Sequence, residues 1–405
     1  MLSTGLNAHK QHSIELKRRF TMKKLVALLV VLSVSSVSWA GGLNRAAAIG
    51  PTDIGNGSDP SGPWFPHNLG SKIQLREPYS VEVGAELMIP KFTYRDFRGK
   101  KFVSKNVAHP MPYFSFAERL NEKLVVGVDV STDYGLGASF KNIAFGMDSR
   151  TLVSGTYVKP YFSLELTDRL SIGAGPVLCL GMLTWNGPFD INRHPTPIRV
   201  GTDGWGVGVG YQVGAMYRAT DELAFGVNYL SPVTVDLEGR CRATLGLIHF
   251  HDDVKAKFQF PDRLDFSVGY QPCEGWLIVG QVSYFGYSRN SLGEVPIAFQ
   301  SIPYAKPVRT NWQDNVAVYL GASHQLDEHW TIGGGIGYMS KAIDGTADFM
   351  TPDVVGFDVA GRVKYSHRNF DLTAALSRGW GENHSRGKDI TAEIYTVSLS
   401  GTWWF

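Results

Sequence analysis

The stretch from Tyr395 to Phe405 constrains the fold more than any other part of the chain. It reads Tyr-Thr-Val-Ser-Leu-Ser-Gly-Thr-Trp-Trp-Phe. Tyr395, Val397, Leu399, Trp403 and Phe405 share one parity, broken only by Gly401. Thr396, Ser398, Ser400 and Thr402 hold the other parity, with Trp404. Side chains on a strand point alternately to its two faces, so this segment is a strand with one apolar and one polar face. A soluble sandwich can carry such a strand at an edge. A membrane barrel must carry it on every strand, so the rest of the chain decides between the two.

The alternation recurs from Ser80 onward. Leu124 to Val130, Leu223 to Tyr229, Leu264 to Tyr270, Trp276 to Tyr284 and Trp330 to Tyr338 each place large apolar residues on one parity. In Phe357 to Tyr365 the charges Asp358, Arg362 and Lys364 all fall on the polar parity. Such a face must meet water or protein, while the other can meet lipid. The connections form two alternating classes. Short polar turns fall near residues 119–122, 167–169, 220–222, 271–274, 326–328 and 367–369. Long connections fall near 91–108, 134–153, 185–203, 236–253, 287–312, 341–353 and 381–391. Short turns on one rim and long segments on the other are the layout of an outer-membrane barrel, and counting between them gives about 14 strands. That count takes Val254 to Tyr270 as one strand, with Pro261 a bulge or kink inside it. The expected fold is therefore all-β, a transmembrane antiparallel barrel over residues 80–405.

Composition and targeting agree. Lys plus Arg number 39 against 37 Asp plus Glu, so no basic field calls for nucleic acid. The 3 cysteines, Cys179, Cys241 and Cys273, make neither a disulfide framework nor a zinc pattern. Lys23-Lys24, an apolar run from Leu25 to Val34 and the small residues before Ala40 form an export signal, with a start at Met22 and cleavage after Ala40. Residues 1–40 are thus an extension and signal peptide. The terminal Phe405, with Trp403 two residues back, resembles the signal that barrel-assembly machinery reads. The expected location is the outer membrane of a Gram-negative cell, crossed many times by a monomer in contact with outer-membrane lipid.

Strand side chains alone cannot fill the lumen of a barrel this wide. The segment Gly41 to Tyr79 is aperiodic, rich in Gly, Pro and Ala, and holds the apolar pair Trp64-Phe65. A solvated tail has little use for that pair. Residues 41–79 are therefore expected to form a hatch plugging the lumen.

Several segments together resemble the FadL-type family of outer-membrane transporters for long-chain fatty acids and other hydrophobic compounds. They are Asp59-Pro60-Ser61 followed by Trp64-Phe65, the hairpin Phe162 to Gly175, and Gly204 to Arg218 followed by Gly226 to Tyr229. Phe260-Pro261-Asp262 and Asn311-Trp312-Gln313-Asp314 complete the set. Where the family has Asn-Pro-Ala after the aromatic pair, this chain has Pro66-His67-Asn68. The resemblance implies passive uptake. A hydrophobic solute is caught by the outer loops, rests in an apolar pocket over the hatch, and leaves through a hatch shift or a kinked third strand. It places Trp64, Phe65, Pro66 and Asn68 beside the solute, and Tyr134 and Leu136 near the kink, with Gly135 supplying backbone freedom. For an acidic solute, Lys159, Arg362 or Lys364 could pair with the carboxylate, but the favoured reading of each is a lumen charge network that serves only stability.

Other motifs carry less. Gly206 to Gly210 and Gly333 to Gly337 lie in strands, outside any phosphate-loop context, and are small lumen-facing residues. His249-Phe250-His251 lacks further metal ligands, and no nucleophile elbow is present. No catalytic, cofactor or metal site is expected. A polar diffusion porin and a structural surface barrel are the alternatives to a hydrophobic-solute channel.

Overall fold

The computed structural model describes residues 64–405, apart from 192–193, 290–294, 300–304, 309–311, 344–351 and 386–387. The export signal and residues 41–63 of the expected hatch lie outside the described residues. In chain order the strands begin with β1 (Tyr79–Arg95), β2 (Lys101–Val103), β3 (His109–Asn121), β4 (Leu124–Ala144) and β5 (Met147–Thr167). Next come β6 (Leu170–Ile191), β7 (His194–Arg218), β8 (Leu223–Leu230), β9 (Val233–Leu245), β10 (Ile248–Phe260) and β11 (Arg263–Tyr270). Then follow β12 (Trp276–Phe285), β13 (Val295–Phe299), β14 (Ala305–Val308), β15 (Asn315–Gln325) and β16 (Trp330–Met339). The last three are β17 (Val355–His367), β18 (Phe370–Ser385) and β19 (Lys388–Trp404). All pairings are antiparallel, and β19 returns to β1 over the register Ser80–Trp404 to Arg95–Asp389, which closes the sheet.

β8 and β9 form one wall strand, and β10 and β11 another, so the closed barrel has 14 strands. The wall strand that crosses Pro261 is interrupted there, between Phe260 and Arg263. Its neighbour has a matching break at Ser231-Pro232 that the sequence did not announce. A proline offers no N–H to the ladder. The Ser231 hydroxyl accepts instead from the Tyr211 N–H at 2.9 Å, so the adjacent strand keeps a partner.

Burial is the reverse of that in a water-soluble sheet. On β19, Tyr395, Val397 and Leu399 are 41%, 48% and 55% exposed, while Thr396 and Ser398 are 1% and 4% exposed. Apolar side chains therefore coat the outside, and polar ones line the lumen. Only hydrocarbon makes that favourable. Trp276, Trp330 and Trp403 lie at the rim of short turns, as interfacial aromatics do.

The long connections differ from irregular loops. Near 134–153 and 236–253 the strands continue outward to tight turns at Phe145-Gly146 and Gly246-Leu247, where Phe145, Gly146 and Gly246 take positive φ. The alternation persists beyond the membrane, so pairing persists with it. β13 and β14 form a further hairpin that pairs with β10 above the wall.

This topology predicts protease access. Leu247, at the tip of the β9–β10 hairpin, is 96% exposed. Chymotrypsin added to intact cells should cut there and spare the short turns, such as Thr220-Asp221-Glu222. Cleavage at the short turns instead would invert the orientation.

Candidate functional site

The floor of the site is the stretch from Trp64 to Leu75, which lies inside the barrel. Trp64, Phe65 and Leu69 are 5%, 3% and 2% exposed. Asn68 caps the 3-10 turn Leu69–Gln74, its side-chain oxygen accepting from the Gly70 N–H at 2.9 Å. The Ser71 hydroxyl accepts from the Phe65 N–H at 3.1 Å, and Gln74 accepts from the Trp64 N–H at 3.0 Å. This compact knot buries its aromatic pair at one end.

The wall is shaped to receive it. Gly173 on β6, Gly214 on β7, Gly226 on β8 and Gly269 on β11 form an oblique trough across four adjacent strands. A Cβ at Gly173 would stand 2.5 Å from that of Leu69, and one at Gly269 would stand 2.8 Å from the Trp64 ring. Polar lumen residues then bind the knot. Asn68 donates to the carbonyls of Ala215 and Val227 at 2.9 and 3.1 Å. Gln212 donates to the His67 carbonyl at 2.8 Å. Ser163 and Ser171 donate to the Gly70 carbonyl at 3.3 and 2.8 Å. Arg119 donates to the carbonyls of Ile73 and Leu75, and Lys72 pairs with Asp129 at 3.0 Å.

A polar chain climbs from the floor. Gln212 also donates to Asn228 at 2.9 Å, and Asn228 donates to Asp265 at 3.2 Å. Asp265 pairs with Arg263 at 3.0 Å, and Arg263 acts electrostatically on Asp133. Asp133 sits where β4 slips register against β5, between Thr132 and Tyr134. It pairs with Lys159 at 2.7 Å and accepts from the Ser131 hydroxyl at 2.6 Å. The irregularity in the third wall strand therefore falls at Asp133, one turn of the pleat ahead of Gly135.

Beyond that slip the wall is open. β3 and β4 pair from Asn121–Leu124 up to Phe114–Val130. Above this, no strand pairing among the described residues joins His109–Tyr113 to Ser131–Ala138. The gap is spanned at its outer end by the bridge between Ser104 and Phe140 and by the Lys105 N–H bonding the Ser139 carbonyl at 2.8 Å. A cavity of about 370 Å³ occupies this region. Pro90, Phe92, Val107 and Ala138 give it an apolar lining, and Lys105, His109 and Arg150 stand at its polar side. Inward of the gap lies an aromatic cluster. Tyr134 stacks on Phe260 at 5.7 Å and meets Tyr157 at 5.8 Å, while Tyr287 meets Trp312 at 5.2 Å.

The sequence candidates thus separate into groups. Trp64, Phe65 and Asn68 belong to the floor, with Pro66 half-buried beside them. Tyr134 belongs to the aromatic cluster and Lys159 to the ion pair with Asp133. Leu136 follows on β4, with its side chain outside the described residues. Arg362 and Lys364 line the lumen elsewhere, with Lys364 3.8 Å from Asp371. Gly333 and Gly337 lie opposite Arg362 and Asp358 on β17 and leave room for those side chains. Among the described residues no cluster of ligating side chains could hold a metal ion, and His249 pairs with Thr244 at 3.3 Å. The sequence reading missed Gln212, Asn228, Asp265 and Asp129. Their one signal was a polar residue on lumen parity.

A closed barrel, an internal segment seated in a glycine trough and a break in the third wall strand can now be set beside known proteins. Residues 80–355 match the family described as outer membrane protein transport protein (OMPP1/FadL/TodX). The chain belongs to this family. Its members are outer-membrane transport proteins, not enzymes. The chain is 21% identical to a long-chain fatty acid transport protein of Escherichia coli O6:H1, over 96% of this chain and 97% of that one. A Pseudomonas aeruginosa FadL homologue has the same fold, with a TM-score of 0.74 at 13% identity, over 91% of this chain and 99% of that one. The Pseudomonas putida toluene transporter TodX also matches, with a TM-score of 0.72 at 15% identity, over 91% and 99%.

The buried pair gives a stability prediction. Replacing one partner of a buried ion pair leaves an uncompensated charge and costs about 3–5 kcal/mol. Lys159→Met should therefore lower the midpoint of denaturant unfolding strongly, and adding Asp133→Leu should restore most of it. Equal stability of the single variant and the parent would show that the pair contributes nothing.

Proposed function

We propose that this barrel carries hydrophobic compounds, long-chain fatty acids foremost, passively across the outer membrane and releases them through its wall. The observation that carries the reading is an unpaired gap between β3 and β4 beside a pinned floor. Seven hydrogen bonds from the wall hold the segment from His67 to Leu75. At about 0.5–1.5 kcal/mol each they contribute several kcal/mol, and burial of Trp64, Phe65 and Leu69 adds about 2–3 kcal/mol apiece. Displacing the floor costs all of that. Passing through the gap breaks no strand pairing.

Solvation points the same way. An apolar solute gains nothing from a water-filled exit and gains its full transfer free energy in a route that leads into hydrocarbon. The Asp133–Lys159 pair sits at the start of the gap and holds the slipped strand to β5. The floor serves as a seal that keeps the lumen from acting as an open pore. Tyr134 and the rings around it guide the solute sideways.

The wall cavity supports an acid-headed amphiphile over a plain hydrocarbon. Its apolar lining suits a chain, and Arg150 suits a carboxylate, as does Lys105, whose pair with Asp148 at 3.3 Å is solvent-exposed and exchangeable. Lys159 is committed to Asp133 and takes no part in holding the solute.

Filling the cavity tests the route. Gly137→Trp places an indole among its lining residues. At matched barrel levels this variant should slow uptake of a labelled long-chain fatty acid by about tenfold or more, a barrier change near 1.4 kcal/mol. Leak of small polar dyes should stay unchanged, because the floor is untouched. Uptake at the parental rate with the cavity filled would contradict release through the wall.

A further inference from the structure

The hairpin between β1 and β2 carries a charge that, Lys105 apart, the proposed route does not use. From Lys91 to Lys105 the chain holds the cations Lys91, Arg95, Arg98, Lys100, Lys101 and Lys105 against the single anion Asp96, while the whole chain has a formal net charge of only +2. Asp96 is consumed inside the turn, where its carboxylate accepts from the N–H groups of Arg98 and Lys100 at 2.9 and 2.8 Å. The hairpin therefore presents its positive charge outward.

The position of this charge decides its meaning. Leu87, Lys91 and Arg95 share the outward parity of β1, and Lys101 lies opposite Arg95. Val81 pairs with Trp403 at the rim of short turns, and Lys91 stands ten residues further along. At about 3.4 Å per residue and a tilt near 40°, that is roughly 26 Å, the height of the apolar band. Lys91 is thus at the outer headgroup level and faces lipid, away from the lumen. Arg378 joins it from β18, on the outward parity between Leu376 and Trp380. Glu393 pairs with both, at 3.0 Å to Arg378 and 3.6 Å to Lys91, so the trio keeps one net positive charge. Arg378 also lies over the rings of Trp380 and Tyr395, at 5.9 and 5.7 Å. Phe97, 69% exposed, projects from the hairpin tip.

We propose that this outward surface, formed by Lys91, Arg95, Lys101 and Arg378, docks the phosphorylated headgroup of lipopolysaccharide in the outer leaflet. A phosphate is matched by guanidinium forks and by point-charge ammonium groups. Trp380 and Tyr395 stand at the boundary where the acyl chains begin. A fatty acid on its way into the lumen would not meet this face. The outward wall of β9 and β10 provides a contrast, because Lys255 and Lys257 there are each paired across the strands with one acid, Glu238 and Asp236. Those two lysines have one acid apiece, whereas on the β1–β2 surface the four cations share two acids, Glu393 and Asp389, the latter 3.8 Å from Arg95.

The test uses the full barrel, stripped of native lipid and reconstituted in phospholipid nanodiscs. Lipopolysaccharide and its enzymatically dephosphorylated form are titrated separately, and bound lipid per barrel is read by native mass spectrometry. The parent should bind the phosphorylated form at least about tenfold more tightly than the dephosphorylated one. The quadruple variant Lys91→Gln/Arg95→Gln/Lys101→Gln/Arg378→Gln should lose that preference, and Lys255→Gln/Lys257→Gln should keep it. Lys101→Gln alone, which breaks no ion pair seen here, should weaken binding about threefold and guards against misfolding of the quadruple variant. Equal binding of both lipid forms by the parent would overturn the proposal. So would undiminished binding by the quadruple variant, or a loss of fatty acid uptake in that variant without a loss of lipopolysaccharide binding.

Discussion

Every backbone N–H and C=O that meets hydrocarbon must find a partner inside the protein, and the whole structure depends on that demand. A closed sheet meets it by leaving no edge. Here the closure is the long register between β1 and β19. The same demand explains the repairs. Ser231 supplies a hydroxyl where Pro232 breaks the strand, and the Ser104–Phe140 bridge caps the open stretch of β4. The gap between β3 and β4 is the exception, and it lies beside the one cavity described above whose lining mixes an apolar surface with cations.

Floor and gap are linked physically. The polar chain from His67 through Gln212, Asn228, Asp265 and Arg263 ends at the Asp133 slip. From Gln212 to Arg263 every side chain is buried, and the bonds cross from β7 through β8 to β11. Such a network holds the lumen in one arrangement as long as every member is satisfied. It lets a stiff floor and an interrupted wall coexist in one sheet. In the proposed route the floor excludes water, and the interruption needs no moving part.

Much of this was legible in the sequence. Period-two alternation gave the strands, because lipid and lumen impose opposite demands on the two faces. Alternating short and long connections gave the rims, and Pro261 marked a real interruption. The break at Ser231-Pro232 was hidden, since a Ser-Pro pair between apolar runs reads equally well as a turn. The outward extension of β4 to β7 and the β9–β10 hairpin was read as loop, because length alone does not reveal pairing. The glycine trough was invisible for another reason. Gly173, Gly214, Gly226 and Gly269 line up only through the strand registers, which no single segment encodes. Lys159 was legible as a lumen cation, but its partner Asp133 depends on a local slip that alternation cannot announce.

In the proposed route the solute leaves through the wall while the floor stays in place. Locking the floor tests it directly. Lys72 and Asp129 approach to 3.0 Å between the floor and β4. Lys72→Cys/Asp129→Cys, in a background where the exposed Cys273 is replaced by Ser, can be bridged with a short thiol-reactive linker. The measurement is the rate of labelled fatty acid uptake before and after bridging, at matched barrel levels. The account predicts the same rate in both states. A bridged barrel that stops taking up the solute, and recovers when a cleavable linker is cut, would show that the floor itself must move.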